Sequence, residues 1–302
     1  MEIYLLLGPK SAGLKDIDLF CRAFEKTGVQ LKKIMANDID VMCCNDNSLF
    51  INGSRAPIPD AVISAYFGDI NSHNLYVTGE FESMGILCIN SARCLVEARD
   101  KLTGLLKIKA SLLEVRIPKT LLYSKGLSPE LVKSFIGFPL VAKIIHGSRG
   151  AGVEIVPDTE SLDKIVRTMA DTYSDGVLLQ EYIKSSRGRD IRFIMCGGKY
   201  ITSFVRSNSH GFISNIAAGG NIEFFQPENK LIEQAENIAE LLDINLGSVD
   251  FLFGGDGEYY FCEANAMPGL KYTEYYTKAG FKNPMETIAE NIKAQVCKRN
   301  QK

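Results

Sequence analysis

The stretch from 247 to 269, GSVDFLFGGDGEYYFCEANAMPG, constrains this chain most, because it reads as a β-hairpin carrying three oxygen ligands on one face. GSVDFLF and EYYFCEAN are rich in aromatic and β-branched residues, and the Gly-Gly-Asp-Gly between them is a strong turn signal. A turn centred on Gly255 and Asp256 puts Asp250 opposite Phe261, and the two-residue period of a strand puts Glu263 and Asn265 on the side of Asp250. The diagonal from Asp250 to Glu263 is then roughly 7–8 Å between backbones, a gap that two acidic side chains bridge through cations. Mg²⁺ takes hard oxygen ligands, keeps several waters and bridges to substrate phosphates, so Asp250, Glu263 and Asn265 form a candidate metal set that implies a nucleotide. A polar-faced hairpin can also present carboxylates to water with no further role. Against that stands Ala266-Met267-Pro268-Gly269, where Pro and Gly impose a defined backbone path directly after Asn265.

A second signal lies upstream. FPLVAKIIHGSRGAGVEIV, residues 138–156, places a glycine-rich loop between two apolar runs that read as strands. Gly147, Gly150 and Gly152 let the backbone approach an anion, with main-chain N–H groups facing phosphate oxygens, and Lys143 in the preceding run has the reach for a phosphate. This is not the P-loop pattern, since no Gly-Lys-Ser/Thr follows and the loop leads into a strand. Taken alone, the loop is equally readable as an ordinary hairpin turn.

The order of the motifs carries more than any one of them. Lys143, the glycine loop, Gln180-Glu181-Tyr182-Ile183, Asp190-Ile191-Arg192, SNIAAGG at 214–220, Asp250 and Glu263-Ala264-Asn265 follow one another in an order that resembles the ATP-grasp superfamily. Within it the chain is most similar to the RimK-type α-L-glutamate ligases, also through ARDKL at 98–102 and QEYIK at 180–184, while SNIAAGG is also similar to bacterial glutathione synthetases. The likeness runs from about Ala98 to about residue 295.

The resemblance implies an α/β (α+β) chain of ATP-grasp fold. An N-terminal Rossmann-like pre-ATP-grasp domain would span 1–97, and two α+β subdomains, 98–176 with the glycine loop and 177–302 with the hairpin, would sandwich ATP. Lys101 and Lys143 would contact the ATP phosphates, and the loop with Gly147, Ser148, Gly150 and Gly152 would fold over them. Gln180 and the backbone of Glu181, Tyr182 and Ile183 would bind the adenine edge, Asp190 would sit near the ribose and Asn215 beside the phosphates. Asp250, Glu263 and Asn265 would hold Mg²⁺ or Mn²⁺, and Arg192 and Arg206, with Asn265, would stabilise an acyl phosphate.

The implied activity is an ATP-dependent carboxylate-amine ligase that makes an amide or peptide bond through an acyl phosphate, from small-molecule or peptide substrates. A small-molecule kinase on the same fold and a nucleotide-binding regulatory protein that has lost catalysis stay open as alternatives. Two departures bear on the choice. Many glutamate ligases carry Arg where this chain has Ile213, and His-Arg where it has Ala217-Ala218. Glutathione synthetases also have Ala-Ala-Gly-Gly, so Ile213 is the sharper departure, and it puts the acceptor in question; His210 and Lys271 are available as substitute cations.

Composition agrees with an intracellular enzyme. A net charge of −2 gives no electrostatic case for nucleic acid, and no apolar run reaches the roughly 20 residues of a membrane span. MEIYLLLGPK lacks the basic start of a signal peptide, which makes a cytoplasmic location the expectation; homo-oligomerisation is left open. Eight cysteines, Cys21, Cys43, Cys44, Cys88, Cys94, Cys196, Cys262 and Cys297, contain no CxxC pair and read as reduced thiols. Cys262 alternates with Glu263 and is expected to face the core. His73, His146 and His210 show no zinc spacing.

In the first hundred residues MEIYLLL, VQLKKIM, DVMCCN, DAVISAY and GILCIN read as strands of an α/β layer, with a helix over DIDLFCRAFEKTG that ends at Gly28. Pro57-Ile58-Pro59 and Phe67-Gly68-Asp69 read as loops, the second placed to face a cleft. Helices are expected from Ser91 to Lys109, over SLDKIVRTMADTYSD, and over NPMETIAENIKAQVCKRN at the end.

Overall fold

The computed structural model describes residues 1–9, 15–43, 48–64, 71–147, 150–173, 176–208, 211, 214, 221–266, 269 and 283–301. Strand β1 (Glu2–Leu7) is apolar and buried on both faces, as a central parallel strand must be. It is flanked by β2 (Gln30–Met35), which follows helix α1 (Lys15–Glu25). A small antiparallel sheet comes next, β3 (Ile39–Asp40), β4 (Leu49–Ile51) and β5 (Ser54–Ala56), in the order β3-β4-β5. With β6 (Ala61–Ile63) and β7 (Leu87–Ile89), joined by helix α2 (Ser72–Ser83), the parallel sheet is complete in the order β2-β1-β6-β7.

The expectation for DVMCCN fails here. Only Ile39 and Asp40 are strand, Val41 to Cys43 have no regular structure, and Cys44 and Asn45 lie outside the described residues, as does Phe67-Gly68-Asp69. The pairing instead uses LFI and SRA around Asn52-Gly53, whose φ of 50° and 71° are the positive pair that an Asn-Gly hairpin turn requires. That dipeptide was the available signal for the small sheet.

The helix expected over 91–109 is two helices, α3 (Ala92–Glu97) and α4 (Lys101–Ala110). Asp100 breaks the run by capping the second: its Oδ1 accepts from Leu102 N at 2.8 Å and Thr103 N at 2.9 Å. The break makes Lys101 the first residue of α4.

A second, antiparallel sheet follows, in the order β10-β9-β11-β8: β8 (Thr120–Leu122), β9 (Leu140–Ile144), β10 (Val153–Val156) and β11 (Val177–Glu181). Helices α5 (Pro129–Phe135) and α6 (Thr159–Thr172) cover one face, where Leu140, Ala142, Ile144 and Leu179 pack with Val132, Leu162, Val166 and Met169. By the strand period, Lys143 and Gln180 point from the other face.

The third sheet, also antiparallel, has the order β14-β13-β12-β15-β16: β12 (Arg189–Cys196), β13 (Lys199–Ser207), β14 (Asn221–Phe224), β15 (Leu246–Phe253) and β16 (Tyr259–Asn265). Ile191, Phe193, Val249 and Phe251 pack on one face with Ala235 and Ile238 of helix α7 (Asn229–Leu241), in a core continuous with Tyr4, Leu6 and Leu105. On the opposite face Ile194, Cys196 and Leu246 meet Ile288 and Ile292 of helix α8 (Pro284–Asn300), which also packs against Phe20 and Phe24 of α1. That second face changes character along β12. It is apolar at 194 and 196 under α8 and charged at Asp190 and Arg192 beyond it.

Candidate active site

Two ammonium groups stand near the glycine loop, Lys101 at the start of α4 and Lys143 on β9. Lys101 Nζ donates to the carbonyl oxygens of Gly147, at 2.6 Å, and Ile145, at 3.3 Å, which ties α4 to the glycine loop. Lys143 Nζ donates to Gln180 Oε1 at 2.7 Å, and Gln180 Nε2 donates onward to Thr120 Oγ1 at 3.0 Å. Among the described residues neither lysine forms an ion pair with a carboxylate, so their donors are held by neutral oxygens only. Burial pushes the Lys101 pKa down, and the like charge of Lys143 adds to this, while Glu263 opposes it. An anion is the partner such a pair lacks.

The glycine loop closes tightly under these lysines. A Cβ at Gly147 would stand 2.7 Å from Ala151 O, and Gly150 and Gly152 hold φ of 80° and 67°, a region that side chains disfavour. Ser148 lies outside the described residues. At the end of β11, Glu181 N donates to Lys119 O at 2.8 Å and Glu181 Oε2 accepts from Lys119 N at 3.1 Å, which leaves Tyr182 and Ile183 as the turn out of the sheet.

The third sheet contributes a charged cluster. Arg192 grips Asp250 in a fork, Nε to Oδ1 at 2.8 Å and Nη2 to Oδ2 at 2.5 Å. Arg206 grips Asp190 likewise, Nε to Oδ1 at 2.7 Å, and shares its Nη2 with Asp250 Oδ2 at 2.8 Å. The register explains the meeting, because Asp190 pairs with Arg206 across β12 and β13, and Arg192 with Asp250 across β12 and β15. Burial alone would raise the pKa of Asp250, whose exposure is 0%; the adjacent guanidinium groups of Arg192 and Arg206 reverse this and hold it below its ordinary value. Arg206 is pushed the opposite way, its charged form favoured by Asp250 and Asp190 against the cost of burial. Ser214 Oγ, which the sequence reading did not single out, donates to Asp190 Oδ2 at 2.6 Å; its place at the head of SNIAAGG was the signal.

The hairpin does bring Asp250, Glu263 and Asn265 together, by a different register. Asp250 pairs directly with Glu263, not with Phe261, because the ladder shifts between Asp250 and Phe251 and leaves Cys262 as an extra residue. The bulge also overturns the expectation for Cys262. It is absent from the core, and the charges that act on it are those of Lys143, Glu263, Asp190 and Asp250, with burial pushing its thiol up to about 12. Glu263 Oε1 lies 4.0 Å from Arg192 Nη2 and accepts from Asn265 Nδ2 at 3.3 Å. Of His210, Ile213, Asn215, Ala217, Ala218 and Lys271, all lie outside the described residues.

Hard oxygen donors suit Mg²⁺, and Glu263 and Asn265 are open to it, whereas both oxygens of Asp250 are engaged by arginine. No group of three or more His, Cys, Asp or Glu side chains able to hold a metal occurs among the described residues, so the candidate set depends on the Asn265 amide as well as two carboxylates. The four cations Lys101, Lys143, Arg192 and Arg206 outnumber the three carboxylates Asp190, Asp250 and Glu263. The surplus fits an anionic ligand bearing phosphate. No described helix is long and apolar enough to cross a membrane.

Solved structures share this arrangement of sheets. ATP-grasp ligase PsnB complexed with a minimal precursor superposes with a TM-score of 0.73 at 17% identity, over 97% of this chain and 98% of that one. Macrocyclase MdnC bound with precursor peptide MdnA from Microcystis aeruginosa MRC gives 0.70 at 17% identity, over 96% and 98%. In sequence, a "Probable alpha-L-glutamate ligase" of Vibrio atlanticus (strain LGP32) is 31% identical over 242 residues, which is 80% of this chain and 79% of the relative. One of the same name from Saccharophagus degradans is 30% identical over 253 residues, 83% and 82% of the two chains. Since the model of the RimK-like ATP-grasp domain matches residues 98–288, which hold both lysines, the glycine loop and the whole charged hairpin, the chain belongs to the RimK-like ATP-grasp family.

Proposed function

We propose that this RimK-like ATP-grasp ligase activates a substrate carboxylate as an acyl phosphate and passes the acyl group to an amine. The observation that carries the reading is that Lys101 and Lys143, among the described residues, hold only neutral oxygens, while Arg192, Arg206, Asp250 and Glu263 gather on the third sheet with Glu263 near enough to act on Lys101. In this reading Lys101 and Lys143 bind the ATP phosphates, with the loop around Gly147, Ser148, Gly150 and Gly152 over them and Asn215 alongside. Gln180 holds Lys143 in place, the backbone of Glu181 to Ile183 takes the adenine edge, and Asp190 lies towards the ribose. Asp250, Glu263 and Asn265 would hold Mg²⁺, which when bound would offset phosphate charge.

An oxygen of the substrate carboxylate attacks the γ-phosphorus, and the bond to ADP breaks with its electron pair leaving on ADP. The amine nitrogen then attacks the acyl carbon, the bond to phosphate breaks, inorganic phosphate leaves and the nitrogen loses a proton. Arg192 and Arg206 supply donors for the equatorial oxygens of the transferring group. The chain's contribution is position and charge, with no covalent nucleophile needed.

The relatives named as probable alpha-L-glutamate ligases make L-glutamate the first amine to test, and the neighbours solved with precursor peptides make a peptide the first carboxylate. They favour a ligase over a small-molecule kinase or a regulatory nucleotide binder. The test incubates the protein with Mg·ATP, L-glutamate and a peptide panel, following phosphate release and product mass. Amide product matched by phosphate is expected, and Glu263→Gln should abolish both. A stable phosphorylated product without amide would establish the kinase, and nucleotide binding without turnover the regulatory protein.

A further inference from the structure

The metal-ligand hairpin is anchored by a residue far from it in sequence. Asn90 lies just past β7, 1% exposed, with a φ of 67°. Its Nδ2 donates to the carbonyl oxygens of Leu246, at 2.7 Å, and Ala266, at 2.6 Å. Its Oδ1 accepts from Asn245 N at 3.1 Å and Leu246 N at 2.9 Å. An amide offers two donors and two acceptor lone pairs, and all four are used.

The geometry of the two strands gives this a purpose. The ladder between β15 and β16 ends at the pair Ser248 and Asn265, and beyond it Leu246 and Ala266 have no rung joining them. The carboxamide of Asn90 is the missing rung, since one nitrogen holds both carbonyls. No other side chain does this among the described residues, where Ser248 Oγ is buried without a hydrogen-bond partner. Ala266 directly follows Asn265, and Asn265 and Glu263 share one face with Asp250. The end of the ladder therefore fixes where the Asn265 carboxamide stands relative to the two carboxylates.

We propose that Asn90 is a positioning residue for the metal site, setting the affinity of the nucleotide-loaded hairpin for its divalent cation through the backbone of Leu246 and Ala266. This rests on the reading of Asp250, Glu263 and Asn265 as metal ligands. Asn90→Gly removes the side chain while permitting the left-handed backbone, and Asn90→Asp keeps the two acceptors but loses both donors to the carbonyls. Val77→Ala, a buried truncation on α2 that leaves the four Asn90 hydrogen bonds untouched, controls for general loss of stability.

The measurement is Mn²⁺ binding by electron paramagnetic resonance with ADP present, beside ADP affinity without metal and the melting temperature. Both Asn90 variants are expected to raise the Mn²⁺ dissociation constant at least tenfold with metal-free ADP affinity within twofold, while Val77→Ala leaves both within twofold. Unchanged Mn²⁺ affinity in a folded Asn90 variant, an equal loss in Val77→Ala, or failure of both Asn90 variants to fold would overturn the positioning role. Failure of the wild type to bind Mn²⁺ with ADP would instead overturn the reading of the hairpin as the metal site.

Discussion

Replacing Asp250 by Asn tests the charged cluster at its centre. The exchange keeps the side chain's volume, so it opens no cavity, but it removes the one carboxylate shared by Arg192 and Arg206, whose side chains are only 10% and 12% exposed. Breaking a buried ion pair by removing one partner costs about 3–5 kcal/mol, mostly because a charge is left uncompensated. Here the lower end applies. Arg206 retains its fork to Asp190, and Arg192 has Glu263 Oε1 at 4.0 Å. A loss of ~3 kcal/mol in a chain of this size, whose melting entropy is about 0.6 kcal/mol/K, lowers the melting temperature by roughly 5 °C and leaves the protein folded at 25 °C.

The pH dependence has a definite sign. The Asp250 pKa is held below its ordinary value of about 3.9 in the folded chain by Arg192 and Arg206, against the effect of burial. Its contribution is therefore fully present above pH ~4 and is lost as pH falls through the depressed value. Urea midpoints of wild type and Asp250→Asn should differ by a constant amount from pH 5 to 7 and converge below pH 4. A difference under about 1 kcal/mol at pH 7, or one that widens as pH falls, would refute the assignment of the cluster as a buried, mutually neutralising network.

Lys143→Met should weaken ATP binding in calorimetry at least tenfold, against little change for Lys133→Met on the exposed side of α5; equal effects would leave the glycine loop as a turn only. Because burial and Lys143 lower the Lys101 pKa, a bound polyphosphate should raise it again, so nucleotide binding in alkaline buffer should take up protons; calorimetric enthalpies that do not depend on the buffer's ionisation heat would contradict this. If Ile213 marks an altered acceptor preference, as its departure from the glutamate-ligase pattern implies, Ile213→Arg should keep nucleotide affinity and lower turnover with the native substrates; a rise in turnover would show instead that Ile213 marks decayed catalysis.

What the sequence disclosed and what it hid divide along chain distance. Local chemistry was legible: Gly-Gly-Asp-Gly marks the hairpin, the positive φ of Gly150 and Gly152 answers the glycine-rich loop, and Asn283-Pro284 opens the last helix as its capping residues suggest. The hairpin register was not, because a single extra residue at Cys262 slips the pairing and no turn signal reports a bulge in mid-strand. The same slip moved Cys262 from an expected core position to the charged side, so strict alternation misled where the strand is irregular. Contacts between distant segments left no trace in composition or period. Asp190 and Arg206 could have been paired from a two-strand register, yet Asn90 serves carbonyls more than 150 positions away, and a lone Asn after a strand looks the same whether it binds solvent or fills four hydrogen bonds. For that reason the candidate ligands could be named from motifs, whereas the groups that hold them at their spacing had to be read from the folded chain.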